Sequence, residues 1–489
     1  MLSLKQGIIA SSLNFINQLI RRMVGIVSLI ILARVLVPED FGLIAVALIF
    51  LNFVEVVTSI GGGSYLLSRE KINDELVLSN WTLQFLIKNS VAALLAIASI
   101  FIADFYNEPR LTPILLVFSL QILVSTFSSP GIIYKHKNQD LGAITRWQII
   151  ARFVTTGITV FIAVVYETYW ALVIGQFSVM LSDVIASYVI APLRPRFTLK
   201  NAREQWIFSR WIMPQSLVNF FRSQMDALYV SFIFDKAIMG AYNSMRYYAN
   251  IPATLFIKPI VSTTLTQFSE FKNNHNYFIK QLQVTFFCMS AIAAPIMYLI
   301  IKHDMVIVKI VLGDKWVEYS ALLGTFSLLI FVTTMNSILS QIVMLKDATR
   351  LLLFYSLLCV CAQVLIFTLL EFRDVYQLAE FKIGADVILS VVFYVYIIWK
   401  LLSLSALWVI TLPILLTTIC VILASVLSSY LPHLQNEVSN FFLQCFIFSS
   451  IYALIQGGLM YVLRSKVYSF DYILNKSEPL IKRLFNRVA

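Results

Sequence analysis

Six basic side chains stand in stretches of this chain that otherwise read as hydrocarbon-crossing: Arg21, Arg22, Arg152, Arg222, Arg246 and Lys258. A cation at the centre of a bilayer costs about 2.5–3.5 kcal/mol on insertion scales. Six of them facing lipid would cost roughly 18 kcal/mol at about 3 each, more than the whole stability of most domains. They must therefore face water or paired acids. Three acids, Glu55, Asp183 and Asp226, lie in the same kind of stretch and are candidates to bind a proton or a cation. Asp226 follows Arg222 by four residues, which also suits a local ion pair. Lys88, Arg146, Arg210 and Lys382 lie near the ends of their stretches, where snorkelling to the interface is expected, and Asp386 is spaced to pair with Lys382.

Helical spacing sorts these residues. Taking about 100° per residue, Asn14, Asn17, Gln18, Arg21, Arg22, Gly25 and Ser28 share one face, with Phe15, Leu19, Met23, Ile26 and Ile30 opposite. A polar stripe along most of a helix is better explained by water than by one ion pair. Gln215, Asn219, Arg222, Ser223 and Asp226 repeat the stripe at an offset of 201. The stretch after each also corresponds: EDFGLIAVALIFLN (39–52) resembles KAIMGAYNSMRYYAN (236–250), with Gly42 matching Gly240 and Asn52 matching Asn250 at an offset of 198. Asn243, Tyr247, Asn250, Thr254 and Lys258 share a face with Arg246 at its edge, and Asn52, Glu55, Ser59 and Gly63 share another. Helices 1, 2, 7 and 8 are thus expected to enclose a central, mainly cationic cavity.

These positions need a helical membrane bundle to hold them. The chain has 489 residues, of which 59% are hydrophobic and 13% charged, against about 25% charged in a soluble protein. Mean hydropathy is +0.82. Apolar runs predict fourteen spans, near 8–33, 41–67, 80–103, 112–134, 142–165, 169–192, 207–234, 239–268, 279–301, 317–343, 351–370, 377–399, 406–430 and 441–463. The fold class is all-α, because the runs are continuous rather than alternating. With the N-terminus inside, the connections hold twenty Lys and Arg on the cytoplasmic side and seven outside. Both termini are then cytoplasmic, and the net charge of +11 reflects this bias without any nucleic acid. The expected organisation is an N-terminal lobe (1–200, helices 1–6), a C-terminal lobe (201–405, helices 7–12), helices 13 and 14 (406–464) and a basic tail (465–489). Parallel repeats of this kind occur in some transporters.

Several function classes drop out. No loop leaves room for an extramembrane catalytic domain, and neither a GxxxxGK[ST] phosphate loop nor a nucleophile elbow is present. The four histidines are scattered, the five cysteines fall inside spans, and no metal or cofactor is expected. No cleavable signal peptide is expected. GGGS (61–64) reads as a helix end in preference to a hinge.

The stretch ILARVLVPEDFGLIAVALIFLNFVEVVTSIGGGSYLL (31–67) closely resembles the start of bacterial polysaccharide transporters, the Wzx-type lipid-linked oligosaccharide flippases, and VLGDKW (311–316) resembles them too. The resemblance places the chain beside multidrug exporters and lipid II flippases in one superfamily. It implies an alternating-access bundle in the bacterial inner membrane, not an enzyme, moving undecaprenyl-pyrophosphate-linked repeat units to the outer leaflet. A proton or sodium gradient, a polysaccharide polymerase and a chain-length regulator are the partners it suggests. Pyrophosphate suits the arginines, whose forked donors match phosphate oxygens. Tyr229, Tyr242, Tyr247 and Tyr248 are then candidates to meet sugar rings. A cation-coupled drug or metabolite exporter, favoured by a neutral or acidic cavity, is the alternative, and a membrane-embedded polymerase or acyltransferase a more distant one.

Overall fold

A computed structural model describes residues 4–59, 61–257, 274–431 and 434–474, with the backbone alone for residues 4–18 and Trp211. Lys258 and the side chains of Asn14 and Gln18 lie outside this description. Among the described residues there are fourteen helices of fifteen residues or more and no strand. They are α1 (Leu4–Val35), α2 (Pro38–Thr58), α3 (Asp74–Phe105), α4 (Leu111–Ser125), α5 (Gly142–Tyr166), α6 (Trp170–Ile190), α7 (Ala202–Ile233), α8 (Lys236–Pro252), α9 (His275–Lys302), α10 (Leu329–Leu345), α11 (Arg350–Leu369), α12 (Val375–Leu401), α13 (Leu404–Ser429) and α14 (Glu437–Leu463). Ten candidate spans are long and apolar enough to cross a membrane on those grounds alone. α4 is apolar but short, while α1, α7 and α8 carry the polar stripes. Outward side chains are apolar, as lipid requires: Phe101, Phe446 and Leu454 are 69%, 72% and 76% exposed.

Local chemistry sets the boundaries. Pro38 begins α2, where its missing N–H costs nothing, and the Asp40 carboxylate accepts from the Val37 amide at 3.3 Å. Asn73, Asn274, Ser403 and Asn436 cap α3, α9, α13 and α14 by accepting first-turn amides. Four expected spans are interrupted. The run 41–67 breaks after Thr58 and resumes as the short helix Gly62–Ser68. The run 112–134 stops at Ser125, where Ser125, Thr126 and Ser128 turn their hydroxyls back onto preceding carbonyls and Pro130 follows. The run 317–343 is divided between Ser320–Ser327 and α10. Beyond Pro252, which lacks an amide donor, α8 continues as a π-helical stretch, Ala253–Ile257.

By packing, the chain forms two compact units, residues 1–244 and 245–489. In the first, α3 packs on α4, α5 on α1 and α6, and α7 on α2, α3 and the helix Gly62–Ser68. This packing groups residues 202–244 with the first unit. Leu32 of α1 and Leu36 just beyond its end are buried against Ala163 and Ala171. Arg110 bridges Glu108 (2.8 Å) and Glu39 (2.6 Å), tying the α3–α4 connection to the start of α2. Its guanidinium holds the Glu108 carboxyl below the usual range.

The second unit is built on α9, which packs on α10 and α13, while α12 packs on α10, α11 and α13, and α14 packs on α13. Phe278, Leu282, Phe286, Ile330, Ile338 and Ile397 belong to one of its apolar cores. In VLGDKW, Gly313 adopts a positive φ of 96° and Trp316 is fully buried, so this motif is a structural corner. Lys382 pairs with Asp386 at 2.9 Å, as their spacing suggested, and is buried instead of snorkelling.

Candidate functional site

Within the first unit the helices enclose a polar cavity of about 620 Å³. Four of them contribute polar residues at helical spacing: Glu55 and Ser59 from the end of α2, Gln84 and Lys88 from α3, Gln121 and Ser125 from α4, and Gln176 and Asp183 from α6. Intervals of four or seven residues place each pair on one helix face. A smaller pocket of about 240 Å³ adjoins it, sharing Gly63, Gln84, Lys88, Ser125 and Ser128 and adding Trp81 and Phe85.

The glycine run shapes the floor. Gly61 has φ +63°, a left-handed conformation that glycine adopts without steric cost. At Gly62 a Cβ would strike the side-chain amides of Asn80 and Gln84. Those amides are chained: Asn80 Oδ1 accepts from Gln84 Nε2 at 3.1 Å and from Gln205 Nε2 at 2.5 Å. One Gln84 N–H is thereby fixed, leaving the rest of the amide for the cavity. Gln121 is 5% exposed, and its Oε1 is buried with no hydrogen-bond partner among the described residues.

The charges in and around the cavity are distributed. Lys88 lines it with Glu55, within Coulombic reach; Lys88 had been expected to snorkel. Asp183 also lines a narrow crevice with Arg21, Gln148, Arg152 and Thr155. There Arg21 donates to Gln148 Oε1 at 2.8 Å. Arg152 lies over Gly25, where a Cβ would come within 2.6 Å of its guanidinium. The small residue in the α1 stripe therefore makes room for a second arginine beside Asp183.

The structure thus brings Glu55 and Asp183 to one cavity and joins Arg21 to the second of them. Asp226 is elsewhere, fully buried on α7, and accepts from the Tyr242 hydroxyl at 2.9 Å. Asn52, Arg222 and Asn243 are half-buried in the first unit, as is Arg22, and Asn219 is exposed. Arg246, Tyr247 and Asn250 belong to the second unit. Asn250 accepts from the Thr333 hydroxyl at 3.4 Å, and Tyr247, 49% exposed, meets Tyr248 edge-on at 5.7 Å. Sequence reasoning missed Gln84, Gln121 and Gln176. The available signal was a glutamine in an apolar run with a second polar residue four or seven positions on.

The model of the family described as "Polysaccharide biosynthesis protein" matches residues 31–321. The succinoglycan biosynthesis transport protein ExoT of Rhizobium meliloti (strain 1021) is 22% identical over 300 residues, 61% of each chain. The lipopolysaccharide biosynthesis protein WzxC of Escherichia coli (strain K12) is 22% identical over 333 residues, 64% of each chain. The chain thus spans 61% and 64% of the length of these two relatives. Among solved structures, the lipid II flippase MurJ in an inward closed conformation has the same fold, with a TM-score of 0.71 at 16% identity over 93% of this chain and 99% of that one. A match running from residue 31 to 321, through both quoted motifs, is more than half of the chain, which therefore belongs to the polysaccharide biosynthesis protein family.

Proposed function

We propose that this protein is a flippase that carries undecaprenyl-pyrophosphate-linked oligosaccharide units across the bacterial inner membrane for surface polysaccharide assembly. The observation that carries the reading is a large polar cavity among membrane-spanning helices of a polysaccharide biosynthesis family member. A hydrophilic head group needs such a surface to cross, while its polyprenyl tail stays in lipid. The protein then transports rather than catalyses, exchanging access between the two sides. Arg21, Arg22, Arg222, Arg246 and Lys258 are the proposed pyrophosphate ligands, with Asn14, Gln18, Asn52, Asn219, Asn243, Tyr247 and Asn250 around them. Arg21 uses one donor on Gln148 and keeps others for a phosphate. A proton or sodium gradient acting through an intramembrane acid supplies direction, and a polymerase and chain-length regulator receive the product.

A second reading, export of organic cations, has one observation in its favour: the first-unit cavity holds two carboxylates against one lysine. The deciding experiment measures binding of sugar-free undecaprenyl pyrophosphate to purified, folded protein. Charge-assisted bonds contribute about 1.5–3 kcal/mol each. Arg21→Ala combined with Arg222→Ala is expected to weaken binding by about 100-fold or more, and lysine at both positions to restore only part, lacking the fork. Undiminished affinity in the double alanine variant would remove these arginines from the site, and an unvariant protein that prefers organic cations to the lipid would favour the exporter.

A further inference from the structure

We infer that the first-unit cavity is a saccharide site, taking uncharged sugar residues of the head group. This rests on the flippase reading and adds to it which part of the cargo binds here. Four observations converge. The first is size. A volume of about 620 Å³ lies within the range for small-molecule sites, far above the room one ion needs. Among the described residues no cluster of three or more His, Cys, Asp or Glu is placed to hold a metal.

The second is charge. Lys88 is in reach of Glu55, while Arg21 and Arg152 share the crevice at Asp183. Each carboxylate is countered locally, so it is left as a hydrogen-bond acceptor rather than as a magnet for a cation. Lys88, the one cation among the residues lining this cavity, is matched in turn by Glu55, so nothing on its wall selects a phosphate. A polyol suffers neither objection.

The third is hydrogen-bonding type. Each sugar hydroxyl both donates and accepts, and it is matched by a wall that mixes acceptors with amide and ammonium donors. Gln121 is the most telling member: it lines the cavity, and its buried Oε1 has no partner among the described residues. An acceptor left in that state is costly; exchanging the two ends of the amide turns the oxygen to the cavity, where a ligand hydroxyl satisfies it. Gln84 is pre-set by the Asn80–Gln205 chain, which lowers the ordering cost of binding.

The fourth is the adjoining pocket. Trp81 has its indole N–H satisfied by the Thr126 carbonyl at 3.0 Å, so its ring serves as an apolar surface. A pyranose is polar at its rim and apolar on its C–H faces. One polar compartment opening beside one aromatic compartment suits two consecutive rings.

The test uses the purified full-length protein and a panel of methyl glycosides: neutral hexoses, N-acetylhexosamines and a hexuronate. Hydrogen exchange followed by mass spectrometry is expected to show at least one neutral glycoside protecting segments 55–64, 121–128 and 176–184, with the hexuronate inactive. Asp183→Asn and Gln121→Met, checked for folding by thermal melting, are expected to weaken that binding by about 10-fold and about 3–10-fold respectively. If no glycoside protects these segments while sugar-free undecaprenyl pyrophosphate still binds, this inference fails and the flippase reading stands. If tetraphenylphosphonium protects the same segments and the glycosides do not, the cavity belongs to organic cations and both readings fall.

Discussion

At the residue scale, the cost of a charge in lipid proved a good detector of polar interior, but a coarse one. It flagged Arg21, Glu55 and Asp183, all of which line cavities of the first unit. It was silent on Gln84, Gln121 and Gln176, because an uncharged amide in an apolar run costs too little to attract notice. It also gave no pairings: the partner found for Arg21 is Gln148, 127 positions away, which no local spacing encodes. The acid set apart by the structure is Asp226, fully buried beneath the Tyr242 hydroxyl. If Glu55 and Asp183 serve the sugar, Asp226 is left as the coupling acid. Asp226→Asn retains the shape and an acceptor for Tyr242 while removing the titratable group. The expected outcome is transport that no longer responds to the imposed gradient, with pyrophosphate-lipid affinity within about 3-fold of the unaltered protein, well short of one charge-assisted bond. Gradient-driven transport that survives in Asp226→Asn would make the acid a purely structural partner of Tyr242.

At the element scale, hydropathy located the helices well and their interruptions poorly. α3, α5, α6 and α9 fall where apolar runs predicted them, since each run is continuous and of bilayer length. The early stop of α4 and the break after α2 come from hydroxyls and glycines that hydropathy averages away. The 198-residue offset between Gly42 and Gly240 carried more than a resemblance. A Cβ on Gly42 would overlap the carbonyl oxygen of Lys236, and one on Gly240 would overlap that of Pro38. Pro38 and Lys236 are themselves 198 apart. The contact is therefore reciprocal, with equivalent turns of α2 and α8 crossing backbone to backbone on a local two-fold. Gly42→Ala or Gly240→Ala forces the backbones apart and is expected to destabilise by about 1–3 kcal/mol, the usual range for overpacking. Gly157→Ala, in α5 with nothing within 4 Å of the added carbon, is the matched control; helix propensity predicts no loss and a gain of up to about 1 kcal/mol. Thermal melting in detergent reads all three, and equal stability for Gly42→Ala and the control would contradict the close crossing.

At the scale of the whole molecule, the first unit has two unlike ends. One carries the pairs Arg69–Glu204 and Lys200–Glu75, with the 191–201 connection stitched on by the amides of Thr198 and Asn201 bonding to Thr82 and Ser79. The other carries the Glu39–Arg110–Glu108 cluster. The polar cavity lies toward the first end, because it takes the last turn of α2, the Gly61–Ser64 turn and the third and fourth turns of α3. That is the end which the Lys and Arg bias assigns to the cytoplasm. On the flippase reading, head groups built in the cytoplasm would then enter from the correct side, so the orientation tests that reading. A cysteine introduced at Asn201 is expected to escape a membrane-impermeant maleimide in intact cells and to react once the membrane is opened. One at Gln435, in the connection before α14, is expected to react in intact cells. Both substitutions fall on partly or fully exposed connection residues, so neither should disturb packing. Labelling at 201 but not at 435 in intact cells would invert the molecule, and the cavity would then open toward the side on which the cargo is consumed.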